Sequence, residues 1–132
     1  MKPLIGTWKM IHTERINADG RLVARPYGEK GMGLHSLNED GRMICVLCEG
    51  TENPASSELR EYNSYCGSYH YDGKQLTTRV DTCSNPQWMG TDQIRGVSFD
   101  NNILVLRPAE GTGPVSDGQR VLHWTKLADS KV

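Results

Sequence analysis

The fold turns on residues 66–82, Cys66-Gly67-Ser68-Tyr69-His70-Tyr71-Asp72-Gly73-Lys74-Gln75-Leu76-Thr77-Thr78-Arg79-Val80-Asp81-Thr82. Aromatic and β-branched side chains fill both halves, and Asp72-Gly73 between them tolerates positive φ. The stretch therefore reads as two antiparallel strands joined by a hairpin. The same grammar continues in both directions, with turn signals at Asp19-Gly20, Asp40-Gly41, Asp100-Asn101-Asn102 and Asp117-Gly118. The runs between the turns are about 6 to 10 residues long, the usual length of a strand. Eight strands are predicted, near 5–16, 31–37, 42–48, 66–72, 74–82, 92–99, 102–108 and 119–127. Connections at 38–41, 72–74 and 100–102 are short enough for hairpins, which makes the order a meander.

Two segments break the strand pattern. Asn53-Pro54 offers an N-cap and a first-turn proline, and Ala55, Leu59, Tyr62 and Cys66 then recur on one helical face. This spacing predicts one short helix of about ten residues, covering a barrel end or edge. Residues 108–118 are rich in Gly and Pro and read as a loop, a candidate lid for whatever the barrel encloses. Eight antiparallel strands with a buried face hide their edges best by closing. The predicted fold is all-β, a closed eight-stranded antiparallel up-and-down barrel with room for packed side chains or one small ligand.

With 132 residues and 14.7 kDa, the chain is expected to form a single domain over 1–132. Fifteen Lys and Arg face sixteen Asp and Glu, so there is no basic excess for nucleic acid. No apolar run approaches the roughly 18 residues that span a bilayer, so no membrane partner is expected. The start, Met1-Lys2-Pro3-Leu4-Ile5-Gly6, lacks the apolar core of a secretory signal, which makes a cytoplasmic location the expectation. Cys45-x-x-Cys48 resembles half a zinc site, but residues three apart on a strand point to opposite faces. Histidines 12, 35, 70 and 123 have no ligand spacing and could meet only through tertiary structure, so no metal is expected. No phosphate loop, dinucleotide fingerprint, nucleophile elbow or His-Glu-x-x-His occurs, and no cofactor is expected.

Leu4-Ile5-Gly6-Thr7-Trp8 is similar to the Gly-x-Trp opening of lipocalin and calycin barrels. More specifically, the chain resembles the small lipocalin-like domain family of bacteria and fungi. The resemblance rests on Gly31-Met32-Gly33-Leu34 through Asp40-Gly41-Arg42-Met43, and on Tyr65-Cys66-Gly67-Ser68-Tyr69. It continues through Asn85-Pro86-Gln87-Trp88-Met89-Gly90-Thr91, Gln93-Ile94-Arg95 and Leu122-x-Trp124-x-Lys126. These blocks run in the family's order along nearly the whole chain. Family members often carry a His where this chain has Thr77-Thr78-Arg79, and an Arg where it has Lys126. The resemblance implies a small hydrophobic ligand, and a cation stacked near Trp8 at the closed end. Some members of related barrel families catalyse isomerisation, cyclisation or lyase steps in secondary metabolism.

Strand parity nominates the interior. With Trp8 inward, Met10, His12 and Glu14 share its face, while Lys9, Ile11, Thr13 and Arg15 point out. His12 is then the candidate acid or base, with Glu14 beside it. Arg95 shares parity with Val97 and Phe99, and an inward guanidinium needs a partner: Glu14, Asp81 or an acidic oxygen of a ligand. Tyr69, Tyr71, Trp88 and Trp124 form a candidate aromatic wall with hydroxyl handles, and Met10, Thr78 and Phe99 join them as ligand contacts. In the last strand either Val121, His123 and Thr125 or Leu122, Trp124 and Lys126 face in, and the resemblance favours the second set. His70 falls opposite Tyr69 and Tyr71, and His35 is out of phase with Met32 and Leu34, so both read as exposed. The function expected first is a cofactor-independent isomerase, cyclase or lyase using His12, Glu14 and Arg95. The alternative is a non-catalytic carrier or sensor for a hydrophobic ligand, and a homodimer through the flat outer face is a third reading.

Overall fold

The alternation read from the sequence does build strands, and the Gly and Asn turns between them take the backbone they were chosen for. Gly73 has φ 99° at its hairpin, and Asn101 and Asn102 have φ 49° and 71° at theirs. The computed structural model of the protein describes residues 4–16, 22–24, 27, 30–50, 62–108 and 119–128. Among them the strands are β1 (Gly6–Ile16), β2 (Leu22–Ala24), β3 (Met32–Leu37), β4 (Arg42–Cys48) and β5 (Tyr62–Tyr71). They continue as β6 (Gln75–Cys83), β7 (Asp92–Asp100), β8 (Ile103–Pro108) and β9 (Gln119–Ala128).

Eight of these, all but β2, form the closed antiparallel up-and-down barrel. Neighbours in sequence pair in order from β3 to β9, and β1 closes the ring by pairing with both β3 and β9. The short β2 went unanticipated. It pairs with the distal end of β1 (Arg15 with Ala24, Ile16 with Leu22), beyond the point where β1 leaves β3 at the Lys9–Leu34 pair. The last part of the predicted helical face is strand. Tyr62 and Cys66 lie in β5, which begins four residues earlier than expected, and Ala55 and Leu59 lie outside the described residues. A short 3-10 turn does form at Pro86–Trp88, with Asn85 as its cap. Most of the candidate lid, 109–118, also lies outside the described residues. Among the described residues no helix is long and apolar enough to cross a membrane.

One end of the barrel is sealed. The hairpins β3–β4, β5–β6 and β7–β8 all turn at this end, next to the start of β1. Leu4, Leu37 and Met43 are fully buried there, and the indole of Trp8 donates a 2.9 Å hydrogen bond to the Leu4 carbonyl. The Lys126 ammonium stands 5.6 Å from the Trp8 ring centroid, within reach of the ring's negative face. This is the stacked cation that the resemblance implied.

Gly67, in the middle of β5, marks the tightest approach between strands. A bulge separates the Cys66–Thr82 and Gly67–Val80 pairs, and a Cβ on Gly67 would collide with the Arg79 carbonyl. The obstacle is backbone, so it cannot rotate away. Gly67→Ala is expected to destabilise the fold by about 1–3 kcal/mol, the usual cost of overpacking. Urea denaturation of the two proteins would measure it, and unchanged stability would show that the β5–β6 bulge relaxes freely.

Candidate functional site

The contents of the barrel depend on one inserted residue. Along β1, Lys9 and Met10 pair with Thr125 and Trp124, yet His12 pairs with His123, so Ile11 has no opposite number. Such a β-bulge shifts side-chain parity by one. Before it, Trp8 and Met10 face in as expected, each 2% exposed. After it, Thr13 faces in at 1% exposure, and its partner in register is the inward Leu122. His12 and Glu14 are thereby turned onto the outer surface. The expectation that they line the interior is corrected: no local sequence rule announces a bulge at Ile11, between Met10 and His12.

A second correction supplies an interior histidine. With Met32 and Leu34 as the inward residues, strand parity predicts an exposed His35. Met32 and Leu34 are in fact 45% and 49% exposed, and His35 is completely buried. It pairs with Trp8 on one side and Cys45 on the other, and its ring meets Trp124 edge-on at 5.3 Å. Among the described residues neither ring nitrogen of His35 finds a hydrogen-bond partner, and neither does Trp124 Nε1. The available signal was Leu37, two residues on and fully buried, whose parity His35 shares.

Arg95 faces the interior as expected. It pairs with the buried Leu76 and sits beside Val97, which packs against the core. Its guanidinium donates to the Gln93 side-chain oxygen and to the Ile94 carbonyl, both at 3.0 Å. Neither protein carboxylate considered for it is used. Asp81 is held by Arg42 at 2.6 Å on the outer face, and Glu14 lies 2.9 Å from His12. The positive charge acts on the interior instead. Burial, together with Arg95, lowers the His35 pKa from 6.5 to about 3, so the ring is neutral. Burial pushes the Cys45 thiol up to about 12, and it raises the Tyr65 hydroxyl above its ordinary range. All four cysteines are free thiols, and Cys45 and Cys48 point to opposite faces.

The remaining expected contacts divide. Thr78 is buried and inward, and Trp124 is fully buried on the inner face, which places His123 outside. Tyr69 and Tyr71 also face in, but their hydroxyls already donate to the carbonyls of Asn38 (2.7 Å) and Gly73 (3.1 Å) at the closed end. As handles for a ligand they are spent. Trp88 packs edge-on against Tyr65 at 5.9 Å from the 3-10 turn. Phe99 is 43% exposed beneath Trp8, at the sealed end. His70 is exposed, as its parity predicts.

Residues 5–127 match the family model described as the lipocalin-like domain. No curated protein and no solved structure matches the chain at a significant level.

The depressed His35 pKa gives folding a pH dependence. In the unfolded chain the imidazole takes up a proton as pH falls through 6.5, whereas in the folded barrel it does so only near 3. Between those values the unfolded state binds the extra proton, so stability falls as pH falls. Wild type should lose up to about 1.4 kcal/mol per pH unit in this window beyond the loss shown by His35→Gln. Urea titrations across the window give both slopes, and equal slopes would mean that His35 is solvated in the folded state.

Proposed function

The chain belongs to the lipocalin-like domain family, and we propose that its barrel binds one small, largely apolar organic molecule bearing an acidic oxygen, with Arg95 as the charge partner. The observation that carries this reading is an inward guanidinium with no carboxylate partner among the described residues. A cation that faces a low-dielectric interior is costly unless an anion or several hydrogen bonds meet it. A ligand carboxylate, enolate or phenolate would complete the guanidinium fork with charge-assisted hydrogen bonds. His35 and Trp124 Nε1 are the other polar groups available, and the N–H of a neutral imidazole can donate to the same oxygen. Met10, Leu122 and the Trp124 ring supply apolar surface for the body of the molecule.

A cofactor-independent isomerase, cyclase or lyase is the second reading. What favours it is a neutral imidazole and a cation directed at one interior, an arrangement able to move a proton and stabilise an oxyanion. His35 takes the role first assigned to His12, since His12 and Glu14 lie on the outside of the bulge. A ring that protonates only near pH 3 is a weak base, and for that reason binding is placed ahead of catalysis.

Paired dyes test the binding reading. Wild type should bind anionic anilinonaphthalene sulfonate and neutral phenylnaphthylamine in the barrel. Arg95→Gln should weaken the anionic dye at least about tenfold, as loss of a hydrogen bond to a charged group does, and leave the neutral dye unchanged. Equal weakening of both dyes would remove Arg95 from the site. Native mass spectrometry against small-molecule extract, with His35→Gln alongside wild type, separates carrier from enzyme: a compound converted only by wild type would establish catalysis.

A further inference from the structure

The bulge at Ile11 that removes His12 and Glu14 from the interior also assembles them with a third residue. His12 now stands opposite His123, and Glu14 opposite Val121, all on the outer face of the β1–β9 pair. His12 Nε2 lies 2.9 Å from Glu14 Oε1, and His123 Nε2 lies 3.6 Å from the same oxygen. The two imidazoles stack with centroids 4.0 Å apart and planes 22° from parallel. One candidate ligand atom from each residue falls within 4.8 Å of the other two. We propose that His12, Glu14 and His123 form a surface site for a divalent zinc-class cation, bridging the two strands that close the barrel.

The donor set fits such an ion. Two imidazole nitrogens and one carboxylate oxygen suit Zn²⁺, and three protein ligands leave a fourth position for water. Tetrahedral bonds of about 2.0–2.1 Å place neighbouring ligand atoms about 3.3 Å apart. The two nitrogen–oxygen separations, 2.9 and 3.6 Å, bracket that value. A small opening of the ring stack, through side-chain torsions alone, would turn both Nε2 lone pairs onto one ion. The side chains are 39%, 31% and 20% exposed for His12, Glu14 and His123, which lets an ion in from solvent.

The floor of the site is apolar. Val105, paired with His123, and Val121, paired with Glu14, are 3% and 4% exposed. Of the charged groups further out, Asp100 and Arg107 act on His123 with opposite signs. The neutral imidazole is the form that binds metal.

Isothermal titration of the metal-free protein with Zn²⁺, and with Mg²⁺ as an oxygen-preferring control, tests the site. The expected result is one Zn²⁺ per chain, no saturable Mg²⁺ binding, and a melting temperature that rises with Zn²⁺ concentration. His12→Asn, Glu14→Gln and His123→Asn should each weaken Zn²⁺ at least about tenfold. His70→Asn, an exposed histidine elsewhere on the barrel, should not. Because all three ligands are on the surface, circular dichroism of the variants should match wild type. Zn²⁺ binding that is unsaturable, or that His70→Asn reduces as much as His12→Asn does, would overturn the proposal. The arginine dye test addresses the interior and stands or falls separately.

Discussion

Closure of β1 on β9 is the constraint to which the rest of the molecule answers. A row of unpaired backbone groups along either strand would leave the sheet with two exposed edges, and pairing from Thr7–Ala128 to Ile16–Gln119 removes most of that liability. The seam is not regular. Ile11 is extra on β1 and Leu127 is extra on β9, so the two strands bend around each other as they close. The bend lets β1 pass from β3 to β2 partway along its length. Its chemical consequence is larger than its mechanical one, because it chooses which side chains of β1 face the interior.

That choice explains the polarity of the barrel. The inside receives Thr13 where unbroken alternation would have delivered His12 and Glu14. An imidazole is still present, contributed by β3, but one kept neutral by burial and by the field of Arg95. Among the described residues Arg95 has no carboxylate beside it, and neither the His35 ring nor Trp124 Nε1 has a hydrogen-bond partner. The carboxylates that could have neutralised Arg95 are held elsewhere, Asp81 by Arg42 and Glu14 by His12.

The strand architecture was legible because it rests on local rules: period-two alternation and turns that need positive φ, as at Gly73 and Asn101-Asn102. The inward placing of Trp124 and Lys126 was legible through family resemblance, where parity alone left two options. The errors share one physical cause. Parity extends a local observation along a strand, and a single unpaired residue reverses it, which moved His12 and Glu14 out. On β3 the wrong anchor was chosen: Met32 and Leu34 are apolar yet exposed, whereas Gly33 packs its Cα side against Val46 and Leu47 of β4. Tyr62 and Cys66 fit a strand as well as a helical face, and pairing with β4 decided between them. Tertiary pairing settles such conflicts, and a single sequence does not contain it.

The sealed end divides the labour of the barrel. Its hairpins are short, its tyrosine hydroxyls are tied to turn carbonyls, and Leu4, Trp8 and Lys126 stopper it. All the longer connections, 17–31, 49–61, 84–91 and 109–118, leave from the opposite rim. Insertions or substitutions around that rim leave the stopper untouched. The stopper and the long connections thus sit at opposite ends of the same strands, so that a lineage, or a designer, can rework one while leaving the other alone.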